Sequence, residues 1–187
     1  KGVGVGCAHY GVEVPAGDTG KTMQDWIGGY YEHKFSVNPM WAPDFKTFPK
    51  HPITNGVKPF KVVDEWYFNM RFRQDGVGKI TPILATKPGK DVRDGPYVYP
   101  KGPYKHILDA QGRPETTMWA YERPNGSRGF GFTGGHKHVN WGNDNYRKVV
   151  LNGLLWLAKA DIPKNGADSK VTAEELKQNL DPKGRRK

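Results

Sequence analysis

An α/β domain is the fold that the chain of 187 residues predicts, and three observations carry that reading. The opening "GVGVGCAH" alternates Val3, Val5 and Cys7 with Gly2, Gly4, Gly6 and Ala8, the two-residue period of a strand. The late segment "NDNYRKVVLNGLLWLAKADIP" places Tyr146, Val149, Val150, Leu154 and Leu157 on one face at helical spacing. Between them, "KITPILAT", "TTMWAYER" and "SRGFGFTGG" have the β-branched and aromatic content of strands. Strands with a helix at each end of the chain imply a sheet covered by helices.

The glycine face of the first strand is intrinsically poor unless a neighbouring backbone packs closely over it, which suits a buried central strand. "KTMQDWIGGYY" reads as a short helix with Met23, Trp26, Ile27 and Tyr30 along one side, ended by Gly28-Gly29. "FKVVDEWYFNMRF" has strand composition. "HPITNGVKPF" is turn-like, since Pro52, Asn55-Gly56 and Pro59 each constrain the backbone. Residues 87–113 read mostly as loop, and a loop that long is usually functional or mobile. "PNGS" joins the two later strands as a turn. Asn143 or Asp144 caps the last main helix, Pro163 lies beyond its end, and "TAEELKQNL" reads as a small surface helix. The chain is thus expected to divide into a main domain at 1–163 and an extension at 164–187 with a basic tail, "DPKGRRK". Because Lys1 leads straight into the first strand, the start is expected to be the later part of a longer protein. Any targeting segment would lie upstream, so localisation is not readable, with a lean to the periplasm or outside the cell.

Composition excludes several classes. No apolar run approaches the length of a membrane span. One cysteine, Cys7, rules out an internal disulfide framework or a cysteine-rich zinc site. The net charge of +10 is scattered, partly in the tail, with no basic stripe on an expected helix, so no nucleic-acid partner is expected.

Gly20-Lys21-Thr22 resembles the end of a phosphate-binding loop, but Pro15 stands where that loop needs its first glycine. Proline has no amide proton to offer a phosphate. Gly17 to Thr22 is therefore a turn and helix start. Gly2-x-Gly4-x-x-Cys7 likewise lacks the third glycine of a dinucleotide fingerprint. His9 is more informative, because it sits where the first strand ends, and ligands gather at the carboxyl ends of strands. "TGGHKHVNW" again delivers histidine from a glycine-rich strand end, with His136 and His138 on one face if extended. Of Asp64 and Glu65 only one can face such a cleft from an extended segment; the other would be solvated or paired with Arg71 or Arg73. A carboxylate beside histidine orients it and raises its basicity. Cys7, still within the strand, reads as a small core residue rather than a nucleophile on an elbow.

"GCAHYGVEVP", "DWIGGYYEHKFSVNPMW", "HPITNGVKPF", "DEWYFNMRF" and "RGFGFTGGHKHVNWGNDNYRKVVLNGLLWLAK" together resemble the ThuA-like family, named for trehalose utilisation, in its planctomycete-type form. The resemblance implies a flavodoxin-like, class I glutamine amidotransferase-like three-layer sandwich, with a further N-terminal βαβ portion that this chain would lack. It places His9 near the amidotransferase cysteine, so glutaminase chemistry is not carried over. His136, Asp64, Glu65 and His33 match family positions. The expected function is binding of, and action on, trehalose-like or 3-keto disaccharides by acid–base chemistry. His9 and His136 would transfer protons, with Glu65 or Asp64 orienting them. Tyr10, Trp66, Tyr67, Trp141 and His138 are the expected substrate contacts. One alternative makes His9, His136 and His138 ligands of a divalent metal, zinc, in a hydrolase or lyase. Another is a non-catalytic sugar-binding or assembly module of a larger protein. The expected partner is a small sugar or keto-sugar, with self-association, or a companion chain completing the N-terminal part, as a further expectation.

Overall fold

The computed structural model describes residues 2–178 and 180; the basic tail at 181–187 lies outside them. Four strands form the main sheet: β1 (Val5–Ala8), β2 (Lys79–Thr86), β3 (Glu115–Glu122) and β4 (Arg128–Phe132). Their order is β1-β4-β3-β2, with β1 parallel to β4 and the remaining pairs antiparallel. Helix α1 (Asp18–Ile27) covers one face and α2 (Asp144–Leu157) the other, giving a three-layer α/β arrangement.

Close helix–sheet approach explains the glycines of β1 and β4. A Cβ built on Gly129 would lie 2.2 Å from the Trp26 carbonyl oxygen of α1, and one on Gly6 would meet Phe130 and Leu157 within 3 Å. The glycine face of β1 is therefore covered by the end of α2. That replaces the expected central position: among the described residues β1 pairs only with β4, and Leu157 rather than a second strand supplies the close neighbour. Gly28 ends α1 in the left-handed region at φ +84°, where a Cβ would also strike Tyr121.

The apolar helix faces are shifted from those the spacing suggests. On α1, Met23 and Ile27 are buried while Trp26 is 48% exposed. On α2, Tyr146, Val149, Val150 and Trp156 face inward and Leu154 faces solvent. Asn143 caps α2, its side-chain oxygen accepting from the Asn145 and Tyr146 amides. "FKVVDEWYFNMRF" does not run as one strand. It breaks into the short pieces Phe60–Lys61, Asp64–Glu65 and Arg71–Phe72, which pair with Asp44–Phe45, Met40–Trp41 and Gly29–Tyr30. The Asp64–Glu65 piece lies by the carboxyl ends of β1 and β4, where Glu65 meets His9 and Asp64 accepts the Gly135 amide. Residues 87–113 carry two short helical turns, and "TAEELKQNL" forms one 3₁₀ turn, Glu175–Lys177, opened by a reciprocal Thr172–Glu175 cap. No helix of the described residues is long and apolar enough to cross a membrane.

Gly129→Ala puts a methyl group against main-chain atoms that cannot yield without moving α1. The expected outcome is a loss of about 2–3 kcal/mol in urea unfolding; a loss below about 0.5 kcal/mol would mean that α1 does not sit tightly on the sheet.

Candidate functional site

Parallel pairing of β1 and β4 brings two chain-distant segments to one edge. Ala8 lies opposite Phe132, so the residues that follow, His9 and Thr133, leave the sheet side by side. His9 adopts φ +48°, an uncommon conformation for a non-glycine residue and the kind of turn that carries a nucleophile in elbow motifs. Its imidazole Nδ1 lies 3.1 Å from the Thr133 carbonyl oxygen. A carbonyl can only accept, so Nδ1 carries the proton and neutral His9 presents an unprotonated Nε2 to the edge. Gly135, at φ +118°, lets the next loop come close; a Cβ there would lie 3.2 Å from His9 Cβ.

The loop then delivers His136. Its Nδ1 is 3.3 Å from His9 Nε2 and 2.7 Å from Glu65 Oε2, and the same carboxylate oxygen is 3.7 Å from His9 Nε2. Tyr67 adds its hydroxyl 3.2 Å from His9 Nε2, oriented to donate. Glu65 is fixed from behind, since its Oε1 accepts from the Asn38 side-chain amide at 2.8 Å. Asn38 also accepts the Tyr99 backbone amide, so one side chain ties Glu65 to the wall segment that carries Tyr99. Burial raises the Glu65 carboxyl above its ordinary range, an effect that the two histidines and Asn38 only partly offset. These groups face a hollow of about 400 Å³ lined also by Tyr10, Glu13 and Tyr99.

Asp64 and Glu65 are both buried and point apart. Asp64 is neither solvated nor paired with arginine; Arg71 bonds Glu32, and Arg73 bonds Asp75 and Asp25. Instead Asp64 accepts the backbone amides of Gly135 and Lys137, each at 3.0 Å, and the Tyr146 hydroxyl at 2.7 Å. Burial opposes its ionisation, but these donors prevail and hold its carboxyl below the ordinary range. Asp64 thus shapes the loop that bears His136 rather than entering the hollow.

Three expected contacts lie elsewhere. Trp66 is fully buried, its indole N–H bonded to the Val62 carbonyl and its ring packed on Phe45, Phe132 and Tyr146. Trp141 packs edge-on against Tyr146, part-buried against the same core. Trp66 belongs to the apolar interior between α2 and the short ladders, and Trp141 is a part-exposed residue at its edge. His138 is exposed and outside the cluster, because the chain turns into a 3₁₀ helix at that residue instead of continuing extended. Among the described residues, the atoms that could hold a metal ion are those of His9, Glu65 and His136, all within 4.8 Å of one another. Cys7 remains in β1, packed beside the cluster of Val12, Met23 and Ile27, and burial raises its thiol. The spacing of residues did not reveal Glu13, Asn38 or Tyr99. The last two lie in irregular segments with no periodic signal, though a carboxylate four residues after a strand-end histidine was visible.

This fold is that of the class I glutamine amidotransferase-like α/β proteins, with histidine at the turn after β1. The chain belongs to the ThuA family: the family profile, described as trehalose utilisation, matches residues 1–157, and the role that membership gives the chain is in trehalose utilisation. No curated protein and no solved structure matches the chain.

Asp64→Asn keeps the shape but cannot accept from every donor now served. A loss of about 2–3 kcal/mol in urea unfolding at neutral pH is expected. A carboxyl held below its ordinary value contributes stability above the unfolded aspartate range, near pH 3.9, and that contribution drains as pH falls through the lowered value. The variant should therefore lose less stability than the native chain over that acidic interval; parallel stability–pH curves would refute the assignment.

Proposed function

We infer that the hollow at the ends of β1 and β4 binds a trehalose-like or 3-keto disaccharide and moves protons on it through His9 and His136. The observation that carries this is the convergence of two imidazoles, 127 residues apart in the chain, on one buried carboxylate at the wall of an open hollow. A ketone at C3 of a sugar acidifies the C–H at C2. His9 Nε2, whose lone pair receives only the 3.2 Å bond from the Tyr67 hydroxyl, is suited to take that proton once the hydroxyl yields. The electron pair left behind forms the C1–C2 double bond as the glycosidic oxygen leaves C1, and that oxygen takes a proton from the second imidazole. The pair ends the step with one proton shifted between its members and no electrons gained or lost. Glu65 supports the imidazolium charge that His136 or His9 carries during the exchange, and the Tyr67 hydroxyl keeps His9 Nε2 aimed at the hollow.

His9→Ala and His136→Ala should each lower turnover of 3-ketotrehalose by at least about 100-fold, followed by chromatographic release of glucose, with far-UV circular dichroism unchanged. Native turnover in both variants would remove the pair from the mechanism.

A second reading is favoured by the donor set itself. Two imidazoles and one carboxylate are a recurrent three-ligand set for divalent metals, and His9 already donates its other ring N–H to a backbone carbonyl as ligating histidines do. His9 Nε2, His136 Nδ1 and a Glu65 oxygen would be the ligands, with His138 outside the set. A bound zinc would polarise a sugar carbonyl or lower the pKa of a coordinated water. On this reading, metal analysis of the purified chain gives about one equivalent that a chelator strips. A content below about a tenth of an equivalent would reject it.

A further inference from the structure

A second hollow of about 320 Å³ adjoins the one that holds the histidines, lined by Tyr10, Glu13, Val14, Pro15 and His33. The two are neighbours, because Tyr10 and Glu13 line both. A second contact links them: Tyr99, in the wall of the first hollow, stacks on His33 in the wall of the second, with centroids 5.8 Å apart and planes 23° from parallel. Each hollow alone lies near the lower end of the range for small-molecule sites, about 300–1,000 Å³.

The chemistry of the second hollow differs from that of the first. His9, Glu65, Tyr67 and His136 are bonded to one another, whereas among the described residues no hydrogen bond engages the Tyr10 and Tyr99 hydroxyls, the Glu13 carboxylate or the His33 ring. Tyr10 and Tyr99 are 72% and 69% exposed, large amphipathic rings held out at the mouth. Glu13 is part-buried, and burial raises its carboxyl while His33 and His9 draw it back. Flat apolar faces with polar tips, beside a carboxylate with unused acceptor oxygens, match a sugar ring: its C–H face lies on the aromatics and adjacent hydroxyls donate to the carboxylate.

We propose that this second hollow is the subsite for the second hexose of a disaccharide, with Glu13 accepting its hydroxyls and the His33–Tyr99 stack and Tyr10 packing on its faces. The proposal rests on the sugar reading of the first hollow and adds to it the place of the second ring: one ring against the histidines and the other beyond Glu13. Chain folding supports the placement. Glu13 is held by a backbone bridge to Tyr31, the 3₁₀ turn His9–Val12 fixes its distance from His9, and His33 follows two residues after the bridge.

Calorimetric titration of the full chain with trehalose, 3-ketotrehalose and methyl α-glucoside tests it. At least one disaccharide should bind about tenfold or more tighter than the monosaccharide glycoside. That preference should fall below about threefold in both Glu13→Gln and His33→Ala, substitutions at part-exposed and exposed side chains. Equal binding of the glycoside and both disaccharides overturns the second subsite and leaves the sugar reading standing. A preference that survives both substitutions also overturns it, since the second ring then lies elsewhere. No binding of any of the three overturns the sugar reading and the subsite together.

Discussion

One buried carboxylate holds the site in shape. Asp64 is removed from solvent and stays ionised because the amides of Gly135 and Lys137 and the Tyr146 hydroxyl all point at it. The Gly135 and Lys137 amides flank His136, so the charge clamps the loop on both sides of that imidazole. Tyr146 is the first buried residue of α2, so the same charge ties the loop to the helix that covers the sheet. Without such acceptors, amides in a tight turn at the base of the loop would lie buried and unpaired. Position in the chain gives the clamp a second effect: Glu65 follows Asp64 directly, and alternation along the strand sends it to the other side, toward the histidines.

The sheet supplies the remaining geometry. Because β1 and β4 run parallel, their carboxyl ends coincide, and His9 and the loop carrying His136 emerge together. Glycine at the contact points makes the layers thin enough for this. Gly135 admits the loop beside His9, and Gly129 and Gly6 admit α1 and α2 against the strands. The uncommon backbone conformation of His9 is maintained by these surroundings and by its bond to Thr133, a small local cost offset by the packed sheet beneath.

Much of this was legible in the residues. Alternation marked β1, the helical spacing marked α2, and the two histidines were visible as strand-end residues. The composition of "KITPILAT" located β2 to the residue. The rest was hidden for identifiable reasons. Asp64 serves backbone amides some 70 residues away, and an amide leaves no mark in a sequence. Trp66 and Trp141 looked like sugar platforms because an indole reads the same in a core as in a cleft; only packing against Tyr146 separates the cases. His138 was grouped with His136 on the assumption of an extended chain, and a 3₁₀ turn at that residue breaks the alternation. Leu154, expected on the apolar face of α2, is exposed while Trp156 is buried, because the side of the helix that the sheet meets is left free by periodicity.

The bond from His9 Nδ1 to the Thr133 carbonyl has a consequence for how this site can change. The acceptor belongs to the main chain, so every amino acid at position 133 offers the same oxygen. Which nitrogen of His9 stays basic is therefore dictated by the main chain just past the end of β4. Mutational drift at neighbouring side chains can alter the tilt or setting of the ring, yet reversing its tautomer would require moving the main chain that leaves β4 beside it.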